Sequence, residues 1–307
     1  MSKANKNNNN QNKGDTTARK QRLLTMAFTA GNTEVSLNYA RQVLDIDPND
    51  PDALLITADF TEDEHKREEL LLSAINFAEK ADDRSEEDKE ILLLGLYQRL
   101  AFSLFSLEKY EESLKLIEEK IFTANPEYAQ YLAVTDTIKN LYYRTLIQVH
   151  DWKKILAFSM KDDENSLGRA YARLIATFML SPNQNRSVCA KMFWDALILG
   201  TDVPFYILGY LEEPNDDDSP KKHEEFNFAV MFFDILSISD EFFRWFARGS
   251  LLFGLLSGRM DSEYEKMIEI LESLDGLEEY EAMNKILIER DDIAVIEMLA
   301  AHKCLAR

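Results

Sequence analysis

The chain has 307 residues, of which 46% are hydrophobic and 29% charged, and its formal net charge is −20. A field of that sign repels nucleic acid and anionic membrane surfaces, and no stretch approaches the roughly 20 consecutive apolar residues of a membrane helix. Four His and two Cys with no repeated spacing argue against a structural metal site, while only 10 Gly and 7 Pro predict long helices with few tight turns.

Residues 1–15 read as a disordered Asn/Lys-rich tail. Segment 1–22 holds six cations (Lys3, Lys6, Lys13, Arg19, Lys20 and Arg22) against Asp15 alone. A solvated leader accounts for it, and the alternative is a tail that touches RNA or an acidic partner. The segment lacks the apolar core of a secretory signal. Cys189 and Cys304 lie far apart and fit reduced thiols in a cytoplasmic protein, with a single bridge as the other option.

From Lys20 the apolar residues follow helical spacing. Lys20–Ala30 and Thr33–Ile46 form a first pair, turned at Gly31-Asn32, with Asn32 or Thr33 as N-cap. Pro48 and Pro51 stop the chain and aim it into a third helix, Pro51–Phe60, whose partner is Glu62–Ala81. After the charged link Asp82–Asp88, the segment Leu94–Pro126 reads as one complete helix–turn–helix unit. Tyr97, Leu100, Ala101 and Leu104 line its first helix; Ser113, Leu114, Ile117 and Ile121 line its second. Tyr128–Val149 with Lys153–Met160, and Ser166–Leu180 with Arg186–Leu199, continue the pattern, with Leu132 and Tyr143 on the inward face of the fourth pair.

Two helices with one apolar stripe each cannot bury both stripes alone, so such units must stack. The close-packing positions of successive first helices are Leu24, Ala58, Ala101, Tyr143 and Thr177, with gaps of 34, 43, 42 and 34 residues. Two of these gaps match the tetratricopeptide period and two carry inserts. The expected fold is therefore all-α: a tetratricopeptide-like α-solenoid, a right-handed superhelix of helix pairs, over residues 16–200. Residues 201–260 form an aromatic-rich helical region continuing the solenoid. Residues 261–307, with 13 acidic and 5 basic side chains, form an acidic helical cap.

The run Asp47-Pro48-Asn49-Asp50-Pro51-Asp52-Ala53-Leu54, the segment Ser106–Ser113, and above all Val203-Pro204-Phe205-Tyr206-Ile207-Leu208-Gly209 carry a resemblance. Over about residues 20–256 the chain resembles bacterial tetratricopeptide proteins related to the suppression-of-tumorigenicity-seven family. The resemblance implies a helical repeat without a known catalytic site. Some of these relatives carry a C-terminal Cys/His metal motif, but here only His302 and Cys304 stand in that region, so no metal is carried over.

Motifs for catalysis are missing: there is no phosphate loop, nucleophile elbow or His-Glu-x-x-His. Glu212–Asp218 lacks the alternation of a calcium loop and reads as a solvated loop. His150-Asp151-Trp152 reads as a packed turn, with Trp152 where Tyr110 stands in the preceding unit. The aromatics Phe226, Phe228, Phe232, Phe233, Phe242, Phe243, Trp245, Phe246 and Phe253 read as core in preference to a docking patch. No cofactor or metal is expected, and the oligomeric state is open.

A peptide groove is the expected working surface. Beside the packing face of the first helices stand Gln98, Arg99, Phe102 and Phe105, then Asn140, Leu141, Arg144 and Ile147, then Tyr171, Leu174 and Phe178. Arginines among aromatics suit a peptide with an acidic or apolar anchor, and the competing reading is that these side chains fill gaps between irregular repeats. Gln21 and Thr25 replace the Lys and Asn of a two-carboxylate clamp, which disfavours that ligand. The function expected is that of a non-enzymatic scaffold for a protein or peptide partner, without nucleic acid or membrane. The alternative is a nucleic-acid-associated protein using the basic tail.

Overall fold

A computed structural model describes residues 4–81, 84–126, 135–162, 164–180, 186–234 and 238–259. All the regular structure among them is helical. The expected acidic cap at 261–307, with His302 and Cys304, lies outside the described residues, as does Leu132. No helix among the described residues is long and apolar enough to cross a membrane.

The chain divides into two compact units, Met1–Thr145 and Leu146–Arg307. The first contains α1 (Ala4–Thr29), α2 (Thr33–Ile46), α3 (Pro51–Asp59), α4 (Glu64–Lys80), α5 (Glu86–Ser106) and α6 (Tyr110–Leu116), which runs into a π-helical turn at Ile117–Ile121. The unit boundary falls inside α7 (Thr135–Gln148). The second unit contains α8 (Trp152–Ser159), α9 (Leu167–Leu180), α10 (Arg186–Leu199), α11 (Val203–Ile207), α12 (Pro220–Phe232) and α13 (Asp240–Leu256).

Packing follows chain order. In the first unit each of α1 to α5 lies against the next, and α1 also touches α3. In the second, α9 packs on α8, α10 and α13, and α11 packs on α12 and α13. Neighbour-on-neighbour packing is what single-stripe helices require to bury their apolar faces. A core cluster shared by α1, α2 and α3 comprises Leu23, Leu24, Ala27, Ala40, Val43, Ala53 and Ile56.

Short polar side chains set the helix starts. Asn32 accepts hydrogen bonds from the amides of Glu34 and Val35 at the head of α2. Asp50 accepts from Ala53 at 3.0 Å, with Pro51 placed where α3 needs no amide donor. Two serines tie helix pairs together: the Ser36 hydroxyl donates to the Ala27 carbonyl at 2.8 Å, and Ser113 donates to Ala101 at 2.9 Å.

Two expected boundaries move. Helix α1 starts at Ala4, so the segment expected as a tail is helical from there. It contains no proline, and its one glycine, Gly14, costs a helix only about 1 kcal/mol. Helix α5 starts at Glu86, inside the expected charged link, because Ser85 caps it and Glu86, Glu87 and Asp88 complement the positive helix end. Helix α12 starts at Pro220, behind the cap Ser219.

One local motif recurs at a 42-residue spacing. Glu108 has a φ of 59°, with its amide on Phe105 and that of Lys109 on Leu104 at 2.9 Å. His150 has a φ of 58°, with its amide on Ile147 and that of Asp151 on Leu146 at 3.0 Å. Both are left-handed helix ends of the Schellman type. Tyr110 and Trp152 then open the following helices at the same offset.

Candidate partner-binding groove

Most of the side chains expected to line a groove are turned into the packing of their own unit. Gln98, Phe105, Asn140, Ile147, Tyr171, Leu174 and Phe178 are buried, as is Leu141, while Arg99, Phe102 and Arg144 are partly exposed. Their neighbours explain the burial. The Phe105 ring meets Tyr110 edge-on at 5.2 Å, and the Arg144 guanidinium lies 4.4 Å over its face. Arg99 is tied to Asp59 at 2.6 Å and to the Gly95 carbonyl. In the second unit Tyr171 packs on Phe228 and Phe246, and Phe178 on Phe242 and Trp245. These positions flank the packing stripe by helical spacing, and other elements of the same unit cover them.

An open groove of about 570 Å³ lies nearer the N-terminus of the first unit. Helix α1 supplies Thr17, Lys20, Gln21, Leu24, Thr25 and Phe28; Asp50 and Asp52 stand at the start of α3. Arg84, Ser85, Asp88, Ile91 and Leu92 close the far wall. Phe28 is 58% exposed.

The groove's cations are already engaged. Lys20 Nζ lies 3.0 Å from both Asp47 and Asp50, and the Asp50 side chain is almost fully buried. Burial disfavours the Lys20 ammonium, but its hydrogen bonds to Asp50 and Asp47 outweigh that and hold its pKa above the ordinary lysine value. Arg84 pairs with Asp52 through its guanidinium. The Thr25 hydroxyl donates to the Gln21 carbonyl along the helix. Of the groove residues, Gln21 and Thr25 stand at ligand positions in the sequence, whereas Phe28, Arg84 and Asp88 carry no motif. The available signal was Lys20, Gln21, Leu24, Thr25 and Phe28 recurring on one side of α1.

Further depressions are lined by described residues of the second unit. One of about 230 Å³ lies between α9 and α10, with Arg169 and Arg173 on one wall and Met192, Asp195 and Ile198 on the other. Another of about 680 Å³ is bounded by Tyr206, the loop from Glu212 and Arg259. The third, about 610 Å³, is apolar and flanked by Phe233 and Phe243. Of the aromatic cluster, Phe228, Phe232, Phe242, Phe246 and Phe253 are buried, whereas Phe233 and Phe243 are exposed.

The acidic loop is organised by its own protein contacts. Asp218 pairs with Lys222 at 2.7 Å and accepts the Asn215 amide, and these two bonds lower its pKa below the ordinary carboxylate value. Among the described residues no group of three His, Cys, Asp or Glu side chains is arranged to hold a metal ion. His150 stacks on Trp152 at 5.3 Å, and Asp151 caps α8 by accepting the Lys154 amide. Cys189 is fully buried.

Comparison with protein-family models, with characterised proteins and with solved structures returns no match.

Proposed function

We propose that the chain is a non-enzymatic tetratricopeptide-like scaffold, related to the suppression-of-tumorigenicity-seven type, whose groove on the first unit holds a segment of a protein partner. The observation that carries this reading is the 570 Å³ groove lined by α1, by the start of α3 and by the N-terminal part of α5. In a right-handed solenoid of helix pairs, the first helices of successive pairs face the concave side. Helices α1, α3 and α5 hold that place in chain order, and the direct packing of α1 on α3 fits it. The 42-residue recurrence of the left-handed cap, at Glu108 and His150, supports a repeating unit longer than the tetratricopeptide minimum. A preformed groove on packed helices spares the receptor most of the ordering cost of binding.

The alternative, a nucleic-acid-associated protein using the basic segment 1–22, gains no such support, since Lys20 of that segment is held by Asp47 and Asp50. Quantitative affinity capture with the full-length protein and with Phe28→Glu tests the main reading. The expected result is a partner that is retained by the native groove and lost from the variant. Recovery of the same proteins by both forms, or of none, rejects it.

A further inference from the structure

The groove on the first unit has unequal charge. Each of its two cations is already matched: Lys20 by Asp47 and Asp50, and Arg84 by Asp52. Asp88 is different. Its carboxylate accepts the Ser85 hydroxyl at 2.6 Å and meets no cation within ion-pair distance among the described residues. Three lining carboxylates, together with Asp47 on Lys20, therefore meet two lining cations. An acidic ligand would have to break an existing ion pair or bring an uncompensated negative charge into this field. A cationic group meets Asp88 without displacing anything. The remaining lining mixes the polar Thr17, Gln21, Thr25 and Ser85 with the apolar Leu24, Phe28, Ile91 and Leu92, and of these apolar side chains Phe28 is exposed.

Resting on the partner-binding reading, we propose that the groove takes a protein segment carrying a lysine or arginine next to an aromatic or aliphatic side chain. The cation would sit at the Asp88 carboxylate and the apolar neighbour over Phe28. Apolar contact supplies the anchor and the carboxylate selects the sign of the ligand. This differs from the acidic-anchor peptide that the arginine-bearing positions of the sequence suggest, because Arg99 and Arg144 are taken up within the fold.

The test is selection from a random displayed peptide library on the full-length protein, followed by fluorescence anisotropy of the best peptide at physiological ionic strength. The expected winners pair Lys or Arg with an apolar neighbour. Asp88→Lys should weaken their binding about tenfold and Phe28→Ala about fivefold or more. Asp88→Asn, a milder change at an exposed site, should weaken it in the same direction. Glu111→Lys, an exposed position outside the groove, changes net charge as much as Asp88→Lys and should alter binding less than about twofold. Equal losses in Asp88→Lys and Glu111→Lys mean general attraction to an acidic protein and overturn the proposal. Acidic winners that lose affinity in Phe28→Ala overturn it while leaving the partner-binding groove standing. No enrichment at all removes both.

Discussion

The Glu225 carboxylate, almost fully buried, accepts a hydrogen bond from the Asp202 backbone amide at 2.7 Å and so ties α12 to the start of α11. Burial raises its pKa above the ordinary glutamate value of 4.5, against the lowering effect of the Asp202 amide. The native state therefore holds a proton that the unfolded chain releases, and stability from this group falls as pH rises above about 4.5 toward the native value. Glu225→Gln keeps an acceptor for the amide and removes the titration. The melting-temperature difference between Glu225→Gln and the native protein should grow with pH from 4.5 and then level off. A constant difference from acid to neutral pH rejects this account. Glu225→Ala leaves the amide without its partner and should cost about 1–3 kcal/mol.

Gly200 lies beside the same carboxylate. A Cβ there would stand 2.8 Å from Leu167 Cδ2, 2.8 Å from Val203 Cγ2 and 3.5 Å from Glu225 Cδ. The constraint is space, and the two closest atoms are side-chain ends that move at some expense. Gly200→Ala should lower stability by about 1–2 kcal/mol in urea unfolding with the slope unchanged. An unaltered midpoint would show that the two methyl groups have free room to retreat.

At the left-handed helix ends, the side chain itself is the source of strain. A non-glycine residue in that conformation costs roughly 1–2 kcal/mol, partly offset by the lower unfolded-state entropy of a residue other than glycine. Glu108→Gly should hold or raise stability by up to about 1 kcal/mol, and Glu108→Val should lower it. The gain at His150→Gly should be smaller, because that change also loses the stacking on Trp152. Denaturant midpoints of the three variants give the ranking, and equal losses in the glycine and valine forms of position 108 contradict it.

Ser113 is fully buried and joins α6 to α5 through the Ala101 carbonyl. Ser113→Ala should cost about 1 kcal/mol, as should Ser36→Ala at the equivalent link from α2 to α1. Ala101→Leu inserts volume where the helices approach closely and should cost about 1–3 kcal/mol. Tolerance of leucine at 101 would mean that the pair is not closely packed there.

The helices were legible in the sequence where local chemistry marks both ends. Thr33–Ile46 follows the cap Asn32 and stops before Pro48, and both ends fall where the spacing predicts. Arg186–Leu199 likewise keeps its expected limits. Helical spacing also identified Ala101 and Tyr143 as close-packing positions, and both are fully buried. The groove was not legible, because spacing tells which residues share a face and not what later covers it. Phe105 is capped by an arginine 39 residues away, and Tyr171 by Phe228 and Phe246 from α12 and α13. Conversely, Lys20 reads as part of a basic leader in the sequence, and only the approach of α3 reveals that Asp50 neutralises it.

The π-helical turn at Ile117–Ile121 keeps both isoleucines buried while fitting more residues into each turn than an α-helix does. That makes it the one stretch of the complete unit suited to absorb a change in chain length. Deleting one residue between 117 and 121 would relax it toward an ordinary α-helix and leave the flanking contacts in register. The same deletion in α4 would rotate every later side chain of that helix by about 100° and turn charged residues inward.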